Sequence, residues 1–139
     1  MDSTAFQIEA LIQQEHWWFF GRRRLFSRLL LNAGAKTDDA ILDIGTSTGS
    51  NLRMLRNMGC TNVTGVEKNE AAIKFCIESG FGPVRQGDVS NLPFDDCSFD
   101  FVLATDIIEH VENDKQALAE IYRVMKPGGY AIISVPAFQ

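Results

Sequence analysis

Two periods of hydrophobic patterning divide the chain. Between residues 5 and 19, Ile8, Leu11, Ile12 and Phe19 recur at helical spacing among Gln and Glu. That spacing predicts an amphipathic helix. Gly21 interrupts it, and a second helix is expected to follow. Leu25, Phe26, Leu29 and Leu30 should face inward there, with Arg22, Arg23, Arg24 and Arg28 largely outward. After a loop over 32–39 the period changes. Apolar runs at 40–44, 62–67, 84–86, 99–105 and 130–135 read as strands. Amphipathic stretches at 50–57, 70–78 and 113–125 read as the helices between them. Residues 91–98, with Pro93, read as a turn-rich loop, and Pro127-Gly128-Gly129 as a turn before the last strand.

Strands alternating with helices imply right-handed crossovers and an α/β fold, a Rossmann-like parallel sheet with flanking helices. Leu42, Ile44, Phe101, Leu103, Ile132 and Ile133 lie in near-continuous apolar runs, as buried central strands do. In such sheets ligands bind beyond the carboxyl ends of the strands. The sequence places Asp43, Glu67, Asp88, and Thr105 with Asp106 at those ends.

Composition narrows the class. With 139 residues, 45% apolar and 22% charged, the chain suits one globular domain with a real core. No apolar run approaches the roughly 20 residues of a membrane span, and no secretory pattern opens the sequence. A cytoplasmic protein is expected. Cys60, Cys76 and Cys97 are scattered, which suits reduced thiols without metal. The net charge of −5 is uneven. Residues 1–37 carry five Lys/Arg against three acids (+2), and residues 38–139 carry eight against fifteen (−7). An acidic body repels phosphate backbones, so nucleic acid is not an expected partner.

The stretch "ILDIGTSTGSN", residues 41–51, carries the chemistry. No Gly-Lys-Ser/Thr follows, which excludes a P-loop. Gly45 and Gly49 frame Ser47, where a dinucleotide fingerprint needs a glycine for close approach of the pyrophosphate. Asp43 would repel that pyrophosphate as well. A ligand with a cation, an adenosine and no phosphate meets both objections, and S-adenosylmethionine is such a ligand. An acid at the loop suits its amino group, and backbone N–H groups near a helix N-terminus suit its carboxylate. Glu67, 18 residues past Gly49, suits the ribose diol, and Asp88 the adenine amino group. A nicotinamide-dependent oxidoreductase is the rival enzyme, and a non-catalytic module that holds S-adenosylmethionine is the rival from another class.

"ILDIGTSTGSN", "VTGVEKN", "GDVSNLPFDDCSFDFVLATDIIEHV" and "VMKPGGYAIISVP" resemble, in order and spacing, the motifs of class I S-adenosylmethionine-dependent methyltransferases, the type 11 group in particular. The resemblance spans about residues 38–136. It implies a sheet ordered 3-2-1-4-5-7-6, of which this chain reaches the fifth strand. The cofactor domain, 38–139, is therefore expected to be incomplete, truncated after that strand, with 1–37 as an N-terminal helical lid. The resemblance implies that Asp43, Gly45 and Gly49 shape the methionine end. It gives Glu67 to the ribose, Asp88 and Val89 to the adenine, and Thr105 to the floor near the sulfonium, and it counts Thr46 and Lys68 among the cofactor-binding residues as well. Ser47 departs from the family's D-x-G-x-G-x-G pattern, and its small size should leave a working loop.

The implied reaction is methyl transfer to a small-molecule acceptor by in-line displacement. His110 is the candidate general base; its alternative role is structural, opening the segment that follows. Asp106, Glu109 and His110 resemble a metal-binding spacing of some relatives, but no metal is expected. In "EHWWFFGRRR", either one of Trp17 and Trp18 packs on the core and the other on a neighbouring helix, or the aromatic rings close a lid together with Arg22. Finally, "YAIISV" is apolar and uncharged. As a sheet edge it invites pairing with another chain, so a homo-oligomer is expected, or else N-terminal helices folded over that edge.

Overall fold

A four-residue strand, β1 (Ile41–Ile44), lies at the centre of the computed structural model, which describes residues 3–137. Helices α1 (Ser3–Glu15) and α2 (Trp17–Asn32) precede it. After it come α3 (Ser50–Asn57), β2 (Val63–Glu67), α4 (Glu70–Glu78), β3 (Val84–Gln86) and β4 (Phe99–Thr105). A single 3-10 turn (Ile108–His110) leads to α5 (Asp114–Val124) and β5 (Met125–Ser134). All neighbouring strands pair in parallel, in the order β3-β2-β1-β4-β5. The order expected from the sequence is the order observed.

Alternate residues of the central strands feed two cores, because side chains along a strand point to opposite faces. On one face Leu42, Ile44, Val102 and Ala104 pack against Ala117, Ile121 and Val124 of α5. On the other, Ile41, Phe101 and Leu103 meet Phe26 and Leu30 of α2 and Met54 and Leu55 of α3. Each fully buried Leu or Ile contributes about 1.5–3 kcal/mol. Asparagines start two of the helices: Asn69 accepts from Ala71 N and Ala72 N, and Asn113 from Gln116 N. Arg123 pins the loop over 91–98 by donating to the Leu92 and Phe94 carbonyls and to Asp96 and Glu120.

Four expectations need correction. Gly21 does not separate the first two helices but lies inside α2, and the break falls at His16. A helical glycine costs only about 1 kcal/mol relative to alanine. His16 meanwhile caps α2 by accepting from Trp18 N. Leu25 and Leu29 are exposed, whereas Phe26 and Leu30 are buried, so α2 touches the sheet along a narrow stripe. Ile8, Leu11 and Ile12 are also exposed; Phe6 is the buried aromatic of α1, 6.0 Å from the Phe75 ring. Last, Pro127-Gly128-Gly129 lies within β5, as a break in the pairing between Phe99 and Phe101 of β4.

The outer edge of the sheet is β5, with Tyr130, Ile133 and Val135 exposed. Helices α1 and α2 pack on α3 and α4, not along this edge. That overturns the expectation of N-terminal helices folded over it. Among the described residues, no helix is long and apolar enough to cross a membrane.

Candidate functional site

The backbone turns sharply where β1 ends. Gly45 has φ +72°, Ser47 +48° and Gly49 +83°. A Cβ on Gly45 would collide with the Ile107 side chain, and one on Gly49 would come within 2.8 Å of Phe81. Both positions therefore need glycine, for space and for backbone conformation. Ser47 occupies the left-handed region without that freedom, and three contacts hold it. Its N–H donates to Glu67 Oε2 at 2.9 Å, its Oγ donates to Glu9 Oε1 at 3.3 Å, and its carbonyl accepts from Cys76 Sγ at 3.2 Å.

Two cavities meet across this loop, sharing Gly45, Ser47, Ile107 and His110. The smaller, about 200 Å3, is lined also by Glu67, Lys68, Asp88 and Val89. The larger, about 360 Å3, takes in Thr46, Asn51, Thr105, Phe19 and Arg22. The structure thus gathers Gly45, Thr46, Glu67, Lys68, Asp88, Val89 and Thr105 around one cleft. Gly49 lies in the wall of a third cavity, toward Phe81. Glu67 also accepts from Lys68 N and Asn69 N, at 3.0 and 3.2 Å. Asp88 accepts from Ser90 N at 2.8 Å and pairs with Lys68 Nζ at 3.0 Å. The Ser90 bond and the lysine hold its carboxyl below the usual carboxylate range.

Asp43 lines neither cavity. It is 1% exposed; its Oδ1 accepts from Asn51 Nδ2 at 3.0 Å, and its Oδ2 has no hydrogen-bond partner. Burial pushes its carboxyl up to about 7, against the Asn51 bond, and the Glu67 charge adds to the rise. Asn51 donates as well to Thr105 Oγ1 at 3.0 Å. Asn51 therefore carries Asp43's influence to the cavity wall. The sequence reading missed it, although it closes the glycine stretch.

Helix α1 and the start of α2 reach this cleft. Thr48 Oγ1 donates to Gln13 Oε1 at 2.7 Å, and Arg23 donates to the Gln13 carbonyl and to Ser50 Oγ. Arg22 pairs with Asp106 at 2.8 Å, its guanidinium 5.4 Å from the Phe26 ring centre. Phe19 and Arg22 line the larger cavity, whereas Trp17 and Trp18 stand exposed, edge to face, 6.0 Å apart. Neither tryptophan belongs to the buried cores or lines the two cavities of the cleft.

His110 borders both cavities, with its side chain 76% exposed and Nε2 3.6 Å from Glu109 Oε1. The Glu109 oxygens are buried without hydrogen bonds. Asp106 is turned to Arg22, and among the described residues no three His, Cys, Asp or Glu side chains assemble as metal ligands. Cys76 is buried with its thiol pushed up to about 11, mainly by burial, which leaves it unreactive.

The donor set fits a cationic nucleoside better than a phosphate ligand. Two acids, Glu67 and Asp88, line the cleft at successive strand ends, Asp43 lies buried behind Asn51 with one carboxylate oxygen unpartnered, and the loop's middle position is closed by a side chain. The family agrees with the chemistry. A family model for a methyltransferase domain, of type 11, matches residues 42–133. The chain belongs to that family, within the class I S-adenosylmethionine-dependent methyltransferases. It is 38% identical over 95 residues to the phthiotriol/phenolphthiotriol dimycocerosates methyltransferase of Mycobacterium tuberculosis, a match covering 65% of this chain and 35% of that one. It is 36% identical over 98 residues to sterol methyltransferase-like 1 of Botryococcus braunii, covering 65% and 25%. A Methanococcus maripaludis protein, provisionally an S-adenosyl-L-methionine-dependent methyltransferase, shares the fold with a TM-score of 0.77 at 22% identity, over 96% of this chain and 64% of that one. The chain spans about a third of the length of the mycobacterial relative and a quarter of the algal one.

Proposed function

We propose that this chain holds S-adenosylmethionine and takes part in methyl transfer to a small, largely apolar acceptor. The observation that supports it most is the cleft itself, in which Glu67, Asp88 and the glycine loop converge. In this reading Glu67 accepts from the ribose hydroxyls, Asp88 and Val89 border the adenine, and Lys68 holds Asp88 in place. Asn51 and Thr105, backed by Asp43, face the methionine end. Bound there, the cofactor supplies an electrophilic methyl group on a sulfonium.

Helices α1 and α2 act as a lid, with Glu9 and Gln13 gripping the loop and Phe19 and Arg22 bordering the acceptor space. Ordering donor and acceptor within reach of each other supplies much of the acceleration in such transfers. His110, at the border of both cavities, takes the acceptor proton where the acceptor is a hydroxyl. The sterol and the phthiotriol and phenolphthiotriol dimycocerosates in the relatives' names favour an apolar alcohol as acceptor. Transfer of labelled methyl from S-adenosylmethionine to a panel of lipid alcohols and sterols tests this reading. Label in product supports it; cofactor binding without transfer to any acceptor favours the non-catalytic module.

Two features of the assembled protein belong to the same reading. The exposed edge of β5 pairs with a second copy of the chain, because an apolar strand with unpaired N–H and C=O groups gains from adding a strand. The free thiols of Cys60, Cys76 and Cys97 suit a reducing cytoplasmic compartment.

A further inference from the structure

The third cavity, of about 520 Å3, opens between the α1–α2 pair and helices α3 and α4. It shares Gln13, Arg23 and Ser50 with the larger cavity of the cleft. These three residues bond to one another through Arg23 and form the partition between the two spaces. Its size lies within the range of small-molecule sites, roughly 300–1,000 Å3.

Its lining has two halves. Phe20, Met54, Phe75 and Phe81 supply an apolar surface, and three arginines, Arg23, Arg24 and Arg53, are the charged residues of the lining. No aspartate or glutamate lines it, although the chain carries a net charge of −5. Arg23 is committed to the Gln13 and Gln14 carbonyls and Ser50. The guanidinium groups of Arg24 and Arg53 have no hydrogen-bond or ion-pair partner among the described residues. Cations gathered without a counter-charge beside apolar side chains repel one another, and burial with the nearby Arg53 charge lowers the Arg23 pKa. A bound anion relieves that repulsion, and a guanidinium fork matches a carboxylate in geometry.

We propose that this cavity is a binding site for a single-chain amphipathic carboxylate. The carboxylate is held by Arg24 and Arg53, and the chain lies on Met54, Phe75 and Phe81. The site is distinct from the cleft and does not depend on the methyltransferase reading. A nucleic-acid phosphate is a poor occupant, since residues 38–139 carry eight Lys/Arg against fifteen acids.

The test is calorimetric titration of the whole chain with dodecanoate, dodecanol and inorganic phosphate. Dodecanoate should bind saturably, and dodecanol and phosphate about tenfold or more weakly, since each supplies half of the chemistry. Arg24→Gln and Arg53→Gln should each weaken dodecanoate by about tenfold, the scale of one charge-assisted hydrogen bond. Their melting transitions should stay close to that of the wild type. No saturable binding of dodecanoate overturns the proposal. So does equal binding of dodecanol or phosphate, a comparison made on the wild type that needs no variant to fold. Unchanged dodecanoate affinity in both variants overturns it too.

Discussion

Ser47 Oγ donates to Glu9 Oε1 across 3.3 Å, so the first helix grips the glycine loop at the position where the loop departs from the family's glycine. The same serine sits at φ +48°, a conformation that costs a side-chain-bearing residue roughly 1 kcal/mol. The hydroxyl contact offsets part of that strain and ties α1 to the loop. Ser47→Gly should remove the strain and the contact together, leaving stability close to wild type or slightly higher. Ser47→Ala keeps the strain and loses the contact, so it should melt lowest of the three. Melting temperatures check the order; an alanine variant as stable as wild type would show that the hydroxyl contributes nothing.

In the proposed reading Glu67 holds the ribose as well as the backbone, since its carboxylate also accepts from Ser47 N at 2.9 Å and from Lys68 N and Asn69 N. Glu67→Gln retains one oxygen for those backbone N–H groups and loses the charge that this reading offers to the ribose. Hydrogen bonds to a charged partner are worth about 1.5–3 kcal/mol, so affinity for S-adenosylhomocysteine should fall by about tenfold or more. Titration calorimetry reads this directly, and an unaltered affinity removes Glu67 from the ribose.

Asp43 links stability to pH. Its folded pKa, about 7, exceeds its ordinary 3.8 because the carboxyl is buried. Between those values the folded state keeps a proton that the unfolded chain has lost. Stability should therefore decline as pH rises from about 4 to about 7 and level off above. Asp43→Asn should abolish this component, melting higher than wild type near pH 8, with the gap closing toward pH 4. Parallel melting profiles for the two proteins across that range contradict the assignment.

The edge of β5 predicts self-association. Tyr130, Ile133 and Val135 are exposed along it. Light scattering after size exclusion should give the mass of a dimer, and a lysine at Ile133 should shift it toward monomer by charging the edge. A monodisperse wild-type monomer at high concentration, with the amides of residues 130–135 unprotected from exchange, refutes the pairing.

Some of this was legible in the sequence and some was not, for physical reasons. The extents of α3, α4, β3 and β4 follow from local signals: a switch of hydrophobic period, asparagine caps and glycine at the turns. The strand-end acids were legible because a parallel sheet carries them to one side. Asn51 was not, since an asparagine in a first helical turn is unremarkable until folding brings Asp43 and Thr105 to either side of it. The inward face of α2 was overdrawn for a related reason. Leu25, Phe26, Leu29 and Leu30 form a broad apolar stripe, but only Phe26 and Leu30 meet the sheet. Likewise Trp17 and Trp18 draw attention by type, yet Phe19 and Arg22 reach the cleft. Which side of a helix faces a neighbour depends on packing partners distant in sequence.

The measurement closest to the central claim is ligand-dependent melting with S-adenosylhomocysteine and NADH in parallel. A ligand that binds only the folded state stabilises it by about 2.7 kcal/mol at a hundredfold excess over its dissociation constant. S-adenosylhomocysteine should raise the melting temperature in a saturable way, and NADH should leave it unchanged. A shift with NADH alone, or equal shifts with both, contradicts the assignment of this cleft to S-adenosylmethionine.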